Sequence, residues 1–328
     1  AVHPVNSAAW TDADWIGALA SDDPFERHAA VMHLSEPDRL EVARAHAFDV
    51  EPAVRLGVLL VLWRGGHEDG EAIATRYLED PDPRVRQTAL RWAVESGMLS
   101  LGPHLDRVLN IAPVTEPLFD AWLAAKGLLN EAFVHARTAR EDSRASRLPR
   151  PPAPEVLDAV WKDDTRISEV RAMALARVTD PVGVRPALLE LARGNDGSER
   201  LPMAAVSALG RSSDDGATAT ADLLALARSR ALPARVRSEA LLGLGARPLP
   251  DPAALLALLN DLERSVRLET ARALRPHGSL PEVADGLRRR LRSEEQRVPP
   301  DAALVESLRY ALDGPATQAR RPSSLDDW

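Results

Sequence analysis

The sequence predicts an all-α fold, a right-handed superhelical α-solenoid of about eight to nine stacked helix pairs. Two observations predict it: the composition and a pattern that recurs at a nearly fixed interval. Hydrophobic residues make up 45% of the 328 residues but aromatic residues only 4%, so alanine and leucine supply most of the apolar surface. Because both are good helix formers and strand-forming residues are sparse, helices are expected throughout.

The recurring pattern is an apolar residue, an arginine, a usually small residue three positions after the arginine, and an apolar residue four positions further on. Full copies begin at Val54-Arg55, Val85-Arg86, Val170-Arg171, Val236-Arg237 and Val266-Arg267, and degenerate copies at Glu26-Arg27 and Leu201-Pro202. Neighbouring copies are about 30 residues apart except for one gap between Arg86 and Arg171. The spacing places the small and apolar residues on one face of a helix.

Each copy follows a turn, and a second helical segment precedes most turns. Asp or Glu with Pro marks the turns at 22–24, 51–52 and 80–83, where these residues cap and begin a helix. The preceding segments include 71–78, 182–192, 219–227 and 253–259. One such pair cannot bury its apolar face alone, so the pairs are expected to stack.

The gap in the pattern predicts the organisation of the chain. A degenerate helix pair is expected at about 98–135, and a polar segment with Pro149, Pro151, Pro152 and Pro154 follows it. The predicted divisions are N-terminal repeats at 1–136, a proline-rich loop or linker at 137–154, C-terminal repeats at 155–296, and a capping helix with an extended tail at 297–328.

Three motifs carry a resemblance to a known repeat. They are DPDPRVRQTALRWA at 80–93, LPARVRSEALLGLG at 232–245 and LERSVRLETARALRPHG at 262–278. These segments resemble the HEAT repeat, in particular the short bacterial form related to phycobilisome-lyase repeats. The resemblance covers roughly residues 10–295 and implies the solenoid fold. It implies little about function, since such repeats serve many unrelated roles.

The two ends of the chain carry a second resemblance. WTDADWIGALASDDPFERHAAVMHL at 10–34 and ARRPSSLDDW at 319–328 are similar to the HEAT segment of large multidomain proteins of planctomycete-like bacteria. There a propeller-type dehydrogenase domain precedes the repeats and a c-type cytochrome domain follows them. The resemblance implies a spacer between fused redox domains, in an exported or periplasmic protein; without it the compartment is expected to be the cytoplasm. A start at Ala1 fits a piece of a longer protein.

Composition excludes several classes of site. The chain has no cysteine, which excludes disulfides, zinc–thiolate sites, iron–sulfur clusters, thiol nucleophiles and a c-type haem of its own. Its net charge of −8 weighs against binding nucleic acid through phosphates. No apolar run reaches the roughly 20 residues of a membrane-spanning helix.

The recurring arginine has two interpretations. It can pair with turn aspartates along the stack, or it can bind a ligand. Pairing with turn aspartates is favoured, because this is what the arginine at this position does in repeats of this type.

Other candidate residues are weighed against packing. His28 and Met32 are four residues apart, a spacing that could ligate haem, but a core-forming helix favours packing for both. His67-Glu68 is the only His-Glu dipeptide, whereas deoxyhypusine hydroxylases on this scaffold need several such pairs. DNA glycosylases on it use exposed tryptophans in a basic face, but helical positions suit burial of Trp92, Trp122 and Trp161, and the net charge is acidic.

The sequence therefore predicts a scaffold or protein-interaction module that is not an enzyme by itself, with no catalytic, cofactor or metal residue. Its partner is a protein or the fused domains, bound on the concave face formed by the second helix of each pair. Exposed positions expected there are Gln87, Arg91, Glu95, Ser238, Glu239, Glu269 and Arg272. A lyase-like small-ligand enzyme is the main alternative and requires polar side chains of several repeats to converge in a pocket. A nucleic-acid-binding role is the other.

Overall fold

The computed structural model describes residues 10–138, 154–179, 181, 183–194, 197–213, 216–245, 247 and 249–313. All regular structure within these ranges is helical. None of the helices there combines the length and the apolar character needed to cross a membrane. The chain divides into two compact units, Ala1–Val156 and Leu157–Trp328, which are unit 1 and unit 2 below. Most of the predicted linker and all of the predicted tail after 313 lie outside the described residues.

Unit 1 consists of consecutive helix pairs. Their bounds are α1 Asp12–Ala18 with α2 Pro24–Leu34, α3 Leu40–Ala45 with α4 Pro52–Gly65, α5 Gly70–Tyr77 with α6 Pro83–Glu95, and a 3₁₀ helix Leu99–Leu109 with α7 Glu116–Thr138. The last pair confirms the degenerate repeat expected at 98–135. The helix α7 also takes in Arg137 and Thr138, which the sequence assigned to the linker.

Unit 2 is built in the same way, and the predicted all-α solenoid of helix pairs is confirmed. The pairs are α8 Pro154–Lys162 with α9 Ser168–Arg177, α10 Arg185–Arg193 with α11 Arg200–Arg211, α12 Gly216–Arg228 with α13 Ala234–Gly245, a 3₁₀ helix Pro252–Asn260 with α14 Arg264–Leu274, and α15 Pro281–Glu295 with α16 Ala302–Asp313. The 3₁₀ turn Arg275–His277 follows α14 directly.

The second helices α2, α4 and α6 of unit 1 begin at the turns that the acidic residues and prolines predict. The carboxylates of Asp23, Glu51 and Asp82 accept hydrogen bonds from the backbone N–H two residues further on. A proline follows each of them at the first helical position. The acidic residue satisfies a free N–H of the first turn, and proline lacks an N–H that would need a partner there.

The interior of both units is built from the small and apolar positions of the recurring pattern. Val58, Ala89 and Ala240 are fully buried, as are the leucines at 62 and 244. Neighbouring second helices pack directly on one another, α4 on α6 and α13 on α14. Burying one valine or leucine side chain contributes about 1.5–3 kcal/mol, so the repeated stripe is the main source of cohesion between successive pairs.

In two copies of the pattern, the recurring arginine joins one helix pair to the next by a bidentate contact. In unit 1, Arg55 donates from Nε and Nη2 to the carboxylate of Asp80 at 2.7 and 2.8 Å. In unit 2, Arg237 makes the equivalent bidentate contact with Asp261 at 2.6 and 3.1 Å. Both pairs are buried. These contacts confirm the predicted pairing of arginine with turn aspartate for these two copies of the pattern.

The arginine of α6 departs from that prediction. Arg86 donates to the backbone carbonyls of Asp80 and Pro81 in its own turn and of Ile111 and Pro113 in the next. The turn that follows α6 carries no acidic residue, so carbonyl oxygens take the place of the carboxylate. Arg86 is fully buried, and desolvation lowers the pKa of its guanidinium.

Candidate functional site

An open groove with a volume of about 780 Å³ lies along α2 and α4 in unit 1. We call it the α2–α4 groove. Its walls are the turn 19–22, one face of α2, one face of α4, and Arg84 at the start of α6. Residues from three consecutive repeats therefore line one surface.

The repeat register explains why these side chains meet. Arg27, Arg55 and Arg86 are equivalent positions, and Arg55 reaches Asp80 in the turn before α6. The N-terminal ends of α4 and α6 therefore lie side by side. On each helix, the residue directly after the arginine and the residue five positions after it lie on the same face. They are four residues apart, which is about one helical turn.

The floor of the groove is apolar. Val31 and Met32 of α2 and Leu56, Leu60 and Trp63 of α4 form it. Met32 is 39% exposed and Leu60 is 36% exposed. Exposed apolar residues that adjoin one another, rather than occurring singly, mark surfaces that interact with another molecule.

The rim of the groove is predominantly cationic. Arg27, His28, Arg64 and Arg84 line it, against one carboxylate, that of Asp22. In the part of the chain that the structure describes, the side chains of Arg64 and His28 make no hydrogen bond or ion pair.

The other two rim arginines are held by their own turns. Arg27 donates to the backbone oxygen of Ser21. Arg84 contacts both carboxylate oxygens of Asp82 at 3.3 and 3.0 Å, and these hydrogen bonds raise the pKa of the Arg84 guanidinium. Asp82 thus balances the charge of Arg84, whereas the charges of Arg27 and Arg64 face the one lining carboxylate, that of Asp22.

The structure corrects the interpretation of His28 and Met32 as core residues. Both side chains are exposed and line the groove. The buried residues of α2 are Ala30 and Leu34, which lie two positions further along. An offset of two residues corresponds to about 200° around the helix and so to the opposite face.

The predicted partner residues of unit 1 lie next to the groove. Gln87 is half-buried, and Arg91 and Glu95 are exposed. All three are on α6, at three, seven and eleven residues after Arg84. This spacing keeps them on the helical face that Arg84 contributes to the groove wall.

The predicted partner residues of unit 2 are less exposed than expected. Ser238 and Glu239 are half-buried, and the Ser238 hydroxyl is buried without a hydrogen-bond partner. Glu269 is also half-buried and accepts a hydrogen bond from the exposed Arg272. The helix α13, which carries Ser238 and Glu239, packs against both α11 and α14. Of the predicted partner residues, three belong to unit 1 and four to unit 2.

Other candidates take structural positions. Trp92, Trp122 and Trp161 are at most 3% exposed and offer no face on which a base could stack. The His67 ring contacts Glu41 at 3.1 Å and accepts from the backbone N–H of Asp69 at 3.0 Å. Among the described residues, no group of three or more His, Asp or Glu side chains is placed to hold a metal ion.

A cluster of ion pairs lies at the end of unit 2, among α14, α15 and the turn before α16. The buried carboxylate of Glu294 accepts from Arg290, Arg297 and the backbone N–H of Asp301. Burial raises the pKa of Glu294, but these hydrogen bonds outweigh burial and the net shift is downward. The bidentate hydrogen bond from Arg264 lowers the pKa of Asp301 to about 2. Each carboxylate is matched by arginine, as in an ion-pair network that stabilises the fold.

The solved structures similar to this chain include a human enzyme and an engineered protein. Human deoxyhypusine hydroxylase in complex with glycerol is 22% identical over 80% of this chain and 94% of that chain, with a TM-score of 0.31. An engineered protein is 16% identical over 94% of this chain and 90% of that chain, with a TM-score of 0.41. Both likenesses concern the fold alone. No protein-family model matches the chain, and no curated protein sequence matches it.

The first of these structures corrects one prediction. The sequence was interpreted as that of a protein that is not an enzyme by itself, yet deoxyhypusine hydroxylase is an enzyme on a HEAT scaffold. A fold of stacked helix pairs therefore does not exclude catalysis. The lack of a recognised catalytic motif does not exclude it either.

Proposed function

We propose that this chain is a helical-repeat scaffold that binds a protein partner, and that the α2–α4 groove is its main contact surface. The observation that supports this is the apolar floor around Leu60 and Met32 beneath a rim of positive charge. A surface with an apolar centre and a polar border is the usual anatomy of a protein interface. Arg and Met are also enriched in such interfaces.

The groove is proposed to continue onto α6. Gln87, Arg91 and Glu95 adjoin it there and add polar contacts beside the apolar floor. The residues of unit 2 predicted from the sequence, Ser238, Glu239, Glu269 and Arg272, are proposed as a second and separate partner face. The partner is either another protein or domains fused to this chain, for which the propeller dehydrogenase and c-type cytochrome remain the candidates.

Partner capture with matched variants tests the proposal. The protein is immobilised and exposed to an extract of its source, in parallel with Leu60→Asp and with Leu242→Asp. Leu242 is the equivalent exposed leucine of α13 and is 59% exposed, so it serves as the control. A protein retained by the wild type and by Leu242→Asp should be lost with Leu60→Asp.

The outcome is decisive only for variants that stay folded, which far-UV circular dichroism and thermal unfolding establish. Retention of the same protein by Leu60→Asp would show that the groove is not the contact surface. Loss with Leu242→Asp alone would place the interaction in unit 2.

A second candidate function is a lyase-like enzyme that acts on a small ligand. It is favoured by the polar side chains of Arg27, His28, Arg64 and Arg84, which line one groove from α2, α4 and α6. An enzyme on this fold requires polar side chains of several repeats to line a common pocket. The volume of about 780 Å³ lies within the range of small-molecule sites.

A further inference from the structure

We infer that the α2–α4 groove takes an amphipathic helix whose apolar face is flanked by acidic residues. This inference rests on the proposed function and adds the chemical class of the partner. Three features carry it: the apolar floor, the length of the groove, and the sign of the charge on its rim.

The floor suits the apolar face of a helix. Leu56, Leu60 and Trp63 recur at intervals of four and three residues along α4, and Met32 faces them from α2. An amphipathic helix presents apolar side chains at the same intervals, so the two surfaces can interdigitate. Methionine adapts its shape to different neighbours, which suits a floor that is exposed until the partner arrives.

The length of the groove matches a short helix. The groove follows α4 from Ala53 to Arg64, which corresponds to about 17 Å at the helical rise. A helix of three turns has about that length. The groove is open along one side and not an enclosed cavity, whereas sites for small molecules usually enclose most of the ligand. The shape therefore favours a helix over a small molecule.

The charge of the rim selects acidic flanks. Arg27 and Arg84 stand near the N-terminal ends of their helices, and Arg64 stands at the C-terminal end of α4. Cationic groups therefore border the groove at both ends, with Asp22 as the one acidic residue that lines it. Within the described residues, the Arg64 side chain has no hydrogen-bond or ion-pair partner. Carboxylates of a bound helix could therefore pair with Arg64 without displacing an existing ion pair.

The test uses defined peptides and the whole chain. The probe is a fluorescein-labelled 14-residue peptide with leucines at positions i, i+4, i+7 and i+11 and glutamates beside them. A peptide of identical composition in scrambled order removes the apolar face, and a peptide with lysine in place of glutamate reverses the charge. Binding is measured by fluorescence anisotropy at low and at moderate salt.

We expect the probe to bind at least tenfold more tightly than either control peptide, with an affinity that falls as salt rises. Leu60→Asp and Arg64→Glu should each weaken binding at least tenfold. The matched control Arg289→Glu changes an exposed arginine of α15 that is far along the sequence from the groove and should leave the affinity within twofold.

Three results would overturn the inference: equal binding of the scrambled peptide, tighter binding of the lysine peptide, or unchanged affinity in both groove variants. A fourth is tight binding of a free dodecanoate anion, measured by calorimetry, together with no binding of the probe, which would make the groove a small-ligand site.

Failure of the inference is distinguishable from failure of the proposed function. If the peptides do not bind but Leu60→Asp still loses a captured protein, the groove binds a protein of another chemistry. If capture is also unaffected, the groove has no role in partner binding.

Discussion

Units 1 and 2 share a buried arginine–aspartate pair but differ in the outer surface of the helices that carry it. Arg55 with Asp80 and Arg237 with Asp261 are buried bidentate pairs in equivalent places. The face above them is an apolar groove in unit 1, whereas in unit 2 the half-buried Ser238 occupies the position of Leu56. Positions that join repeats are constrained by packing, and positions on the outer face are free to diverge. The divergent face is therefore where function is to be sought.

The largest expected effect concerns the buried arginine–aspartate pairs that the two units share. Asp80→Ala and Asp261→Ala should each lower the free energy of unfolding by about 3–5 kcal/mol, because each leaves a buried arginine without its counter-charge. Each also removes a carboxylate that accepts from a backbone N–H, of Asp82 or of Glu263. Chemical denaturation measures both losses.

The comparison between the two losses is informative because it needs no external reference. Losses of similar size would support an equivalent role in the two units. A loss below about 1 kcal/mol in one unit alone would show that its pair is not equivalent to the other.

A smaller effect tests the packing beneath the groove. A Cβ at Gly57 would lie 2.6 Å from the Cβ of Leu19, so Gly57→Ala should cost about 1–3 kcal/mol through overpacking. A Cβ at Gly17 would have no neighbouring atom within 4 Å, and Gly17→Ala should stabilise α1 by about 0.5–1 kcal/mol. Thermal unfolding of both variants checks the signs, and two changes of the same sign would contradict this account.

A pH-dependent contribution to stability is expected at the end of unit 2. Hydrogen bonds from Arg264 lower the pKa of Asp301 to about 2 in the folded protein, below its value of about 3.9 in unfolded chains. Its contribution is therefore fully present above about pH 4 and is lost as pH falls toward 2. Asp301→Asn should flatten the decline in stability between pH 4 and pH 2. An unchanged slope in this variant would show that Asp301 is not a source of the decline.

The smallest expected effect concerns the exposed arginines of the two predicted partner faces. Arg91→Glu and Arg272→Glu should each change the free energy of unfolding by no more than about 0.5 kcal/mol. Arg272 loses one exposed ion pair with Glu269, and such pairs contribute little. A loss above about 2 kcal/mol would mean that these residues support the fold and are unsuitable for binding tests.

Most of the fold could be predicted from the sequence because the repeat constrains it locally. The arginine pattern identified the second helices, their buried stripe and the pairing of the arginine with a turn aspartate, but the partner of Arg237, Asp261, was not among the turn residues that the sequence singled out. The carbonyl contacts of Arg86 could not be predicted in the same way, since they depend on how the following turn is folded. The 3₁₀ helix Leu99–Leu109 departs from the pattern and contains Pro103, which lacks a backbone donor.

The candidate site was less predictable than the fold. The degenerate copy at Glu26-Arg27 places Ala30 and Leu34 on the buried face of α2 and therefore His28 and Met32 on the other face, but Glu26 in the apolar slot obscures the pattern in this helix. A second signal was also available. Aligning the repeats on their arginines places Leu56 and Leu60 where α6 has Gln87 and Arg91, and such a departure marks an exposed apolar surface.

The most direct test of the central claim places the same crosslinker at equivalent positions in the two units. p-Benzoylphenylalanine is introduced in place of Leu60 or of Leu242, and each protein is irradiated in an extract of its source. The account predicts a specific crosslinked product from position 60 that Arg64→Glu suppresses and that does not form from position 242, which adjoins the separate face proposed for unit 2. The same product from both positions, or that product from position 242 alone, would contradict the claim that the groove of unit 1 is its binding surface.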